Sequence, residues 1–536
     1  MKKRMMAFLV AMTVIMSMLA GCNKTPADDT TTKAPADKTT EASNKETDGA
    51  TEEPTTEAVN RVMEFEYFCS LSDPYTETSP IYDKLMEETG ITVNFTWVAK
   101  DAFQTILSSR IADKDLPDVI GNLSYNAYAE ELIEEGIIVP LTDVLKEKCP
   151  NYWRFINETD EMMLKNANDG EIYAFGYILD QPGQYSFAIR GDWLEKLNLE
   201  VPETWDQWVN AWRKFKTEDP NGNGKADEIP FFVQGTSGLD NLMPVFGINT
   251  NGTYSIYEGE YYYDPEHPRY MEFLDAMRML FEEGLIPQDY ASSKEKIADL
   301  SAANLLGGFC EGASTAAQYG KVLGETDENA IYLCTSPIKG PQGDQAIKAR
   351  SKIQRTVWVT TAALEDGKLD TIFEFFNYVF SDEGIHITNY GIENESYKMV
   401  DGKPVLQSPY VDKFAEARKY GIIPSNIPFY FTAEVYDTIT YAGKTKDQMD
   451  KWTLEGVKAI QELNNDYFYQ RPLSYTTEAS VEYADLITQQ DVLRDKYIYG
   501  EISKDEYLNQ YEALKNAGLN EVIEQAKEAY ERVSGK

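Results

Sequence analysis

Histidine is scarce in this sequence: only two occur among 536 residues, His267 and His386. Because they lie far apart in the chain, an imidazole-based catalytic triad or zinc site has almost nothing to build from. The sequence also has no G-x-x-x-x-G-K phosphate-binding loop, and Gly307-Gly308 does not continue as a dinucleotide-binding fingerprint. We therefore predict no catalytic residues and do not expect an enzyme.

Basic residues are also in deficit, since 50 Lys and Arg stand against 89 Asp and Glu, giving a formal net charge of −39. Nucleic-acid binding requires clustered Lys and Arg to neutralise phosphates, so we expect no nucleic-acid partner. An acidic surface keeps a protein soluble but does not identify a substrate. A glycosidase stays open as an alternative, because its two carboxylates can come from any part of such a chain.

Cysteines are few and widely spaced. Cys69, Cys149, Cys310 and Cys334 form no C-x-x-C pair, so metal binding by them is not expected. We expect buried free thiols, while the connectivity of any disulfide is undecidable from sequence. The fifth cysteine, Cys22, lies in a different context near the N-terminus.

The N-terminal segment is typical of an export signal. Lys2, Lys3 and Arg4 precede an apolar run from Met5 to Leu19, which suits a secretory signal better than a membrane span. Leu19-Ala20-Gly21-Cys22 then resembles the lipobox of bacterial lipoproteins. We predict a signal peptide over 1–21 and lipidation of Cys22 with diacylglycerol and palmitate, which anchors the chain to the extracellular face of the cell membrane. An ordinary signal peptide with a chance cysteine is the alternative.

Aromatic residues are absent from Asn23 to Asn60, which is mostly Thr, Ala, Pro, Asp, Glu and Lys. Such a segment cannot bury enough apolar surface to offset its conformational entropy, so 22–60 is predicted to be a disordered Thr-rich linker. The rest of the chain has ordinary apolar content and is longer than one core usually serves. Two or more lobes are expected.

A calcium-binding loop is predicted at Asp219–Pro230, which reads D-P-N-G-N-G-K-A-D-E-I-P. Asp and Asn side chains fall at the alternating positions that ligate calcium in such loops, and Gly224 takes the sharp turn. Pro230 replaces the usual final Glu, so Glu228 would have to complete the shell. The predicted ligands are Asp219, Asn221, Asn223, Lys225 (through its carbonyl), Asp227 and Glu228. A solvated turn without metal is the alternative.

The residues around this loop indicate a structural ion. Thr204 and Gln207 form a capping-box pair that opens a helix with Trp205, Trp208, Val209, Trp212 and Phe215 on one face. Ile229–Val233 after the loop is predicted to be a strand. A helix–loop–strand unit lacks the second helix through which calcium sensors open.

Alternating strands and helices then indicate parallel βαβ units. We predict strands at Val62–Cys69, Ile91–Val98 and Asp118–Gly121, with helices at Ile81–Thr89 and Ala102–Ile111. Ligands of such sheets bind beyond the carboxyl ends of the strands. Trp97, near one of these ends, is either a sugar-stacking platform or a packed residue of the strand.

Several stretches resemble extracellular solute-binding proteins of bacterial ABC importers, in particular the large oligosaccharide-binding branch. The resemblance is carried by Leu116-Pro117-Asp118-Val119-Ile120, Leu132-Ile133-Glu134-Glu135-Gly136, Ala188-Ile189-Arg190-Gly191-Asp192-Trp193-Leu194, Phe281-Glu282-Glu283-Gly284-Leu285-Ile286, Tyr390-Gly391-Ile392-Glu393 and the calcium segment. It implies an α/β clamshell of two lobes, each a mostly parallel sheet flanked by helices. It also implies a monomer that delivers a carbohydrate, an oligosaccharide in this branch, to separate permease subunits.

The resemblance also implies how the chain is divided. The first lobe would take 61–183, the second lobe with the calcium loop 184–345, and the return to the first lobe 346–410. Residues 411–536 would form a helical region packing across both lobes. Glu171–Ile178, Gln184–Ile189 and Val357–Thr360 are predicted strands at the crossings, and helices are predicted to start at Ser503 and near Asn520, separated at Gly518.

Ligand contacts are expected from aromatic and polar residues at strand ends, crossings and loops that match the family. These candidates are Trp97, Asn122, Tyr125, Arg190, Gln234, Tyr319, Trp358, Glu393 and Tyr397. Ser396 stands before Tyr397 where relatives often have His. The expected function is carbohydrate capture with lobe closure; binding of a peptide or another solute is the alternative.

Overall fold

The computed structural model describes most of the chain beyond the N-terminal segment. The described residues are 62–71, 79–124, 126–166, 168–180, 185–292, 296–348, 352–411, 414–424, 426–435, 450–455, 468–469 and 475–535. The predicted signal peptide, Cys22, the linker and Tyr125 lie outside them. No helix among the described residues is long and apolar enough to cross a membrane.

Strands and helices alternate through the first half of the chain, and helices dominate its end. The strands are Glu64–Leu71 (β1), Thr92–Ala99 (β2), Val119–Gly121 (β3), Ala174–Leu179 (β4), Tyr185–Arg190 (β5), Tyr254–Tyr257 (β6), Glu260–Tyr263 (β7), Gly308–Gly312 (β8), Tyr332–Thr335 (β9), Ile347–Lys348 (β10), Ile353–Val359 (β11), Tyr397–Val400 (β12), Lys403–Leu406 (β13), Tyr430–Phe431 (β14) and Phe468–Tyr469 (β15).

The α-helices are Pro80–Thr89 (α1), Phe103–Ala112 (α2), Ala127–Glu134 (α3), Thr142–Lys148 (α4), Pro150–Trp153 (α5), Glu158–Leu164 (α6), Gly191–Lys196 (α7), Trp205–Thr217 (α8), Gly235–Asp240 (α9), Tyr270–Glu282 (α10), Ile297–Ala302 (α11), Ala313–Gly324 (α12), Thr361–Glu365 (α13), Leu369–Val379 (α14), Asp382–Tyr390 (α15), Phe414–Tyr420 (α16), Glu478–Glu482 (α17), Ala484–Ile498 (α18), Lys504–Leu514 (α19) and Asn520–Ser534 (α20). Met243–Phe246 and Asp264–Glu266 are 3-10 turns, and Lys515–Leu519 is a π-helical segment.

The first lobe is built on a six-stranded sheet in the order β14-β4-β11-β3-β1-β2. Strand β1 is parallel to β2 and β3, and β14 is parallel to β4. Strand β11 is antiparallel to both of its neighbours, β3 and β4. A strand from much later in the chain therefore joins the two parallel parts of this sheet.

The second lobe is built on a three-stranded sheet in the order β8-β5-β9, in which β5 is antiparallel to both neighbours. Its largest core cluster gathers the aromatic face of α8 with residues of α10 and of α17–α20. The first lobe has its own clusters around its sheet. The α/β two-lobe fold expected from the sequence is therefore confirmed, although this smaller sheet is antiparallel.

Local signals explain where the best-predicted helices begin and end. The Ser79 hydroxyl caps α1, and Gly90 ends it with φ of +65°, a left-handed conformation that glycine adopts at little cost. Thr204 and Gln207 form the predicted capping box of α8. The tryptophan face of α8 is buried, as the helical spacing predicted.

The predicted strand at Ile229–Val233 is wrong. Ile229 makes a single bridge to Leu306, while the Phe231 amide donates to the Leu285 carbonyl and the Phe232 amide to Gly308. Because the pairing with the segment at Leu306 is a single bridge and Phe231 does not continue it, no ladder forms. The apolar run is buried by tertiary packing instead of by pairing with one strand.

The predicted helical region 411–536 divides between the lobes. Ala417, Ile422 and Phe429 lie in the core of the first lobe, whereas α18–α20 pack on the second. Ser503 caps α19, and Gly518 has φ of +137° within the π-helical segment before α20. These helix starts and the interruption at Gly518 agree with the sequence prediction.

Asp264 is a buried carboxylate in the second lobe. It is only 3% exposed, and burial raises its pKa to about 7, with a further increase from Asp240; the hydroxyls of Thr250 and Ser255 oppose the shift. The folded chain thus holds its proton at pH values where an unfolded chain, with an ordinary Asp pKa of about 4, has lost it.

This buried carboxyl predicts a pH-dependent stability. Because the folded pKa is raised, its contribution is fully present below about pH 4 and is lost as pH rises toward 7. Asp264→Asn should remove this loss. The melting temperature of the variant minus that of wild type should therefore increase as the pH is raised from 4 to 7. Asp289→Asn, at an exposed Asp, is the control. An equal offset at every pH would contradict the prediction.

Candidate functional site

The carboxyl ends of the parallel strands in the first lobe meet at one edge. Gly121 of β3 pairs beside Cys69 of β1, and Leu71 beside Ala99 of β2. Strand β4 runs in the same direction as β3, because β11 between them is antiparallel to both. This edge, called here the carboxyl edge, is where open α/β sheets bind ligands.

In the second sheet, the strand ends around Tyr185 are the ones that the chain connects to the carboxyl edge of the first sheet. Tyr185, at the start of β5, pairs with Gly312 at the end of β8, and Phe187 pairs with Thr335 at the end of β9. Only residues 180–184 separate β4 from β5, so the two edges can lie no more than ~20 Å apart along this crossing. A crevice between the lobes is the expected ligand site.

Asp180 and Tyr430 are brought together at the carboxyl edge from positions 250 residues apart in the chain. The Tyr430 hydroxyl donates to Asp180 Oδ1, and the Ala433 amide donates to Oδ2 over 3.3 Å. The Tyr430 ring stacks on Phe155 with ring centroids 4.0 Å apart. Burial raises the pKa of Tyr430, and Asp180 raises it further, so the Tyr430 hydroxyl keeps its proton at neutral pH.

Two of the predicted ligand contacts, Trp97 and Asn122, lie on strands or loops of this edge. Trp97 is half-buried and stacks on Phe95 with centroids 4.9 Å apart, and its Nε1 has no hydrogen-bond acceptor among the described residues. Asn122 donates its Nδ2 to the Ser70 carbonyl over 3.2 Å. Neither residue is fully buried, so both keep a surface that a ligand can reach.

Tyr397 and Glu393 belong to a second polar group of the first lobe. The Tyr397 hydroxyl lies 2.8 Å from His386 Nε2, and its ring is 6% exposed. Burial lowers the pKa of His386, and the exposed Glu393 opposes this shift. Ser396 is buried and donates to the Tyr390 carbonyl over 2.7 Å. His386 thus provides an imidazole beside Tyr397, although the position before Tyr397 holds Ser.

In the second lobe, Gln234 is exposed just before α9. Tyr319 lies on α12, half-buried, with its ring 5.8 Å from that of Phe309. Burial raises the pKa of Tyr319, and Glu311 raises it further. The remaining candidate of the first lobe, Tyr125, lies outside the described residues, so its role stays a prediction.

Arg190 and Trp358 are not at a ligand-facing surface. Arg190 is fully buried and donates to both carboxylate oxygens of Asp192 and to Asn304. Trp358 is also fully buried, and its Nε1 donates to the Leu123 carbonyl over 3.0 Å. Their sequence positions were at a turn and a crossing, but Asp192 and Asn304 hold the Arg190 side chain, and the Leu123 carbonyl holds that of Trp358, within the core.

The predicted calcium loop is folded as a tight turn in which carboxylates accept backbone hydrogen bonds. Asp219 accepts from the amides of Asn223 (3.1 Å) and Gly224 (3.0 Å), and Asn223 Oδ1 accepts from the Lys225 amide. Asn223 Nδ2 donates to Asp227 over 3.0 Å. This hydrogen bond lowers the pKa of Asp227, with smaller effects of Asn221 and Lys225 in the same direction.

The burial of the Glu228 carboxylate favours a cation in this loop. Its side chain is 1% exposed, and neither carboxylate oxygen has a hydrogen-bond partner among the described residues. Burial raises its pKa, the backbone amides of Glu228 itself and of Asn221 oppose this shift, and the nearby Asp219 and Asp227 raise the pKa further. A buried carboxylate without partners costs free energy, which a bound cation would remove.

The donor set of the loop fits a hard cation only when amide and carbonyl oxygens are included. In the described part of the chain, no group of three or more His, Cys, Asp or Glu side chains is arranged to hold a metal. The loop supplies carboxylates from Asp219, Asp227 and Glu228 with side-chain oxygens of Asn221 and Asn223, which is the ligand chemistry that calcium prefers.

Residues 70–293 match the family of bacterial extracellular solute-binding proteins. These residues make up less than half of the 536-residue chain. The match runs from the last two residues of β1 to the segment after α10. It therefore includes the carboxyl ends of β1, β2, β3 and β4 and the whole of the calcium loop.

Three relatives of this chain are bacterial proteins. The chain is 33% identical over 243 residues to the fructooligosaccharide ABC transporter substrate-binding protein FusA of Streptococcus pneumoniae, covering 41% of this chain and 45% of FusA. It is 25% identical to lipoprotein LipO of Bacillus subtilis, covering 61% and 66%. It is 22% identical to the polygalacturonan/rhamnogalacturonan-binding protein YtcQ of Bacillus subtilis, covering 84% and 89%. The chain thus spans less than two-thirds of FusA and of LipO.

Solved structures share the fold over nearly their whole length. The alginate-binding protein AlgQ2, solved without calcium ion, gives a TM-score of 0.65 at 21% identity and covers 88% of this chain and 98% of AlgQ2. An EF-hand mutant of FusA from S. pneumoniae, in complex with fructo-nystose, gives 0.62 at 20% identity and covers 88% and 99%. At these identities the likeness concerns the fold alone.

Sequence reasoning missed Tyr177, Asp180 and Tyr430 at the carboxyl edge. Tyr177 and Asp180 occupy the end of a correctly predicted strand, so listing the residues at that strand end would have found them. Tyr430 gave no such signal, because its pairing with β4 joins residues 430 and 178.

Proposed function

We propose that this chain is the substrate-binding lipoprotein of an ABC transporter, which captures a carbohydrate outside the membrane and delivers it to a permease. The observation that carries the proposal is the carboxyl edge, where aromatic rings and hydrogen-bonding side chains of the first lobe lie next to a crossing into the second. The relatives' names, which mention fructooligosaccharide and polygalacturonan, support an oligosaccharide as the ligand.

The mechanism is binding with lobe closure, and no bond of the ligand is broken. A ligand held by both lobes favours the closed arrangement, because it makes more contacts there than in an open one. Tyr430, Phe155 and Trp97 offer faces for sugar rings, and Asp180 and Asn122 offer acceptors and donors for hydroxyls. The closed complex, as a monomer, would present the ligand to separate permease subunits.

A thermal-shift and recovery experiment tests this function. The exported chain, purified in mild detergent, would be melted with a panel of plant, host and microbial oligosaccharides in calcium. Ligand that binds only the folded state stabilises it by about 2.7 kcal/mol at a hundred times Kd. A raised melting temperature with the glycan recovered intact is expected. Recovery of a cleaved product would indicate a glycosidase, and no shift with any glycan would contradict carbohydrate capture.

We also propose a structural calcium ion in the loop, held by Asp219, Asn221, Asn223, Asp227 and Glu228 with the Lys225 carbonyl. The loop lies in the chain between α8 and the core residues Phe231 and Val233. A calcium ion there would fix the start of the segment that leads into the core of the second lobe. The buried Glu228 carboxylate supports this proposal. One of the similar solved structures is an EF-hand mutant of FusA, which is consistent with this proposal.

The neutral variant Glu228→Gln tests the calcium proposal, because calcium binding and a metal-free loop predict opposite changes in the melting temperature. With calcium bound, losing the carboxylate should lower the melting temperature in calcium and shrink the difference between calcium and chelator. In a loop without metal, the same change removes a buried charge and should raise the melting temperature. Asp289→Ala is the control, and Asp219→Ala with Asp227→Ala should behave like Glu228→Gln while sugar binding persists at moderate temperature.

The proposed lipid anchor rests on Cys22, outside the described residues. Cys22→Ala removes the thiol that would carry the diacylglycerol, so the protein should move from the membrane fraction to the medium. Cell fractionation and immunoblotting measure this, with Cys69→Ala as a control for loss of a cysteine that lies in the core. Retention of Cys22→Ala in the membrane fraction would contradict lipidation at this residue.

A further inference from the structure

The hairpin formed by β12 and β13 exposes apolar side chains that packing within the fold does not explain. Met399, Val400 and Val405 are 48%, 50% and 43% exposed, and all three belong to this one short pair of strands. Single apolar residues on a surface are normal, but a group of them on a rigid element commonly marks an interaction surface.

The register of the hairpin places two lysines beside the two valines. Val400 pairs with Lys403, and Lys398 pairs with Val405. Because paired residues share a face and side chains alternate along a strand, these four residues lie on the same face of the hairpin. All four are exposed. This surface is called here the outer face.

The outer face is held rigidly on the first lobe. On the opposite face, Tyr397 and Leu406 are buried at the base of the hairpin, and the Tyr397 hydroxyl lies 2.8 Å from His386 Nε2. In the turn, Asp401 and Gly402 have φ of +51° and +78°, the conformation that best joins two antiparallel strands. A preformed surface loses little conformational entropy when a partner binds it.

The base of the hairpin lies near the carboxyl edge. The Tyr420 hydroxyl donates to Glu395, just before β12, over 2.7 Å. The Tyr420 carbonyl accepts from the Ser79 hydroxyl, also over 2.7 Å, and Ser79 caps the start of α1. A helix that connects two parallel strands starts on the side of their carboxyl ends. The hairpin is therefore attached on the side of the first lobe where the crevice is expected.

The outer face is positively charged in a strongly acidic chain. Within the described part of the chain, neither Lys398 nor Lys403 takes part in an ion pair. Asp401, in the turn, is the only carboxylate of the hairpin. Glu393 and Glu395 lie before its base, and Glu395 already accepts from Tyr420. The outer face thus fits a partner that combines apolar side chains with carboxylates.

We propose that the outer face, with Met399 near the turn, is the surface on which the permease subunits dock. The inference rests on the proposed function and adds the surface through which delivery takes place. A permease that receives the ligand must contact the chain close to the crevice, and the hairpin offers a rigid apolar and cationic surface at that place. The matching permease surface would present apolar side chains and Asp or Glu.

Two other partners fit the outer face less well. Anionic bilayers attract clusters of about four to eight Lys or Arg together with large apolar side chains, whereas this face has two lysines and two valines on a chain of net charge −39. A second copy of this chain, docked through the same face, would bring its own lysines against these. Like charges in contact disfavour such a dimer.

Glycan uptake by intact cells tests the docking surface. The lipid-anchored chain and its variants would be produced at equal levels in the bacterium that carries the permease but lacks its own copy of the chain. The probe is the oligosaccharide that raises the melting temperature of the purified chain. Lys398→Glu with Lys403→Glu should lower uptake roughly tenfold, because each change turns an attraction into a repulsion. The loss should persist at saturating glycan, and Val400→Ser with Val405→Ser should also lower uptake.

The controls separate docking from folding and from ligand binding. Both double variants should keep the melting temperature and glycan affinity of wild type, and Lys114→Glu, at an exposed lysine after α2, should leave uptake unchanged. Normal uptake with both double variants would overturn the docking surface. Hairpin-dependent binding of the Cys22→Ala chain to protein-free vesicles of the cell's lipids, or a dimer that these changes abolish, would overturn the permease as the partner. A wild type that restores no uptake would contradict the proposed function itself.

Discussion

The insertion of β11 between β3 and β4 is the constraint on which the first lobe depends. Without residues 353–359 the parallel strands β1–β3 and the pair β4–β14 would be two separate pieces. Val357, Trp358 and Val359 are fully or almost fully buried in this central strand. Because the sheet is completed only by a strand from far along the chain, the chain must leave the first lobe, build the second and return.

This return explains why the candidate site lies where it does. Strand β4 ends at the carboxyl edge and leads at once into β5 of the second sheet, while β11 begins at the same edge after all three strands of that sheet. Both connections therefore meet the parallel strand ends. A ligand at this place touches the first lobe, the crossings and the second lobe, which is the arrangement that couples binding to closure.

Features set by near neighbours in sequence could be predicted. The helix caps at Ser79 and Thr204, the tryptophan face of α8 and the strands of the βαβ units follow from spacing and periodicity over a few residues. What failed depends on distant partners: Arg190 is held by Asn304, and Trp358 by Leu123. The apolar run after the calcium loop was taken for a strand because periodicity cannot show which segments its amides will meet.

The candidate site includes residues of both kinds: some could be predicted from near neighbours in sequence, and others depend on distant partners. Asn122 and Trp97 were accessible to sequence reasoning because they follow or end predicted strands, whereas the contact between Asp180 and Tyr430 depends on β14 joining β4. Individual candidate residues could thus be recognised from the sequence, but which of them lie together could be seen only in the folded structure.

A crystal structure of the chain with a bound oligosaccharide tests the central claim most directly. The account predicts ligand density between the carboxyl edge of the first sheet and the Tyr185 end of the second, with sugar rings against Tyr177, Tyr430 or Trp97 and contacts from both lobes. Density confined to one lobe, or at a surface away from these strand ends, would contradict it.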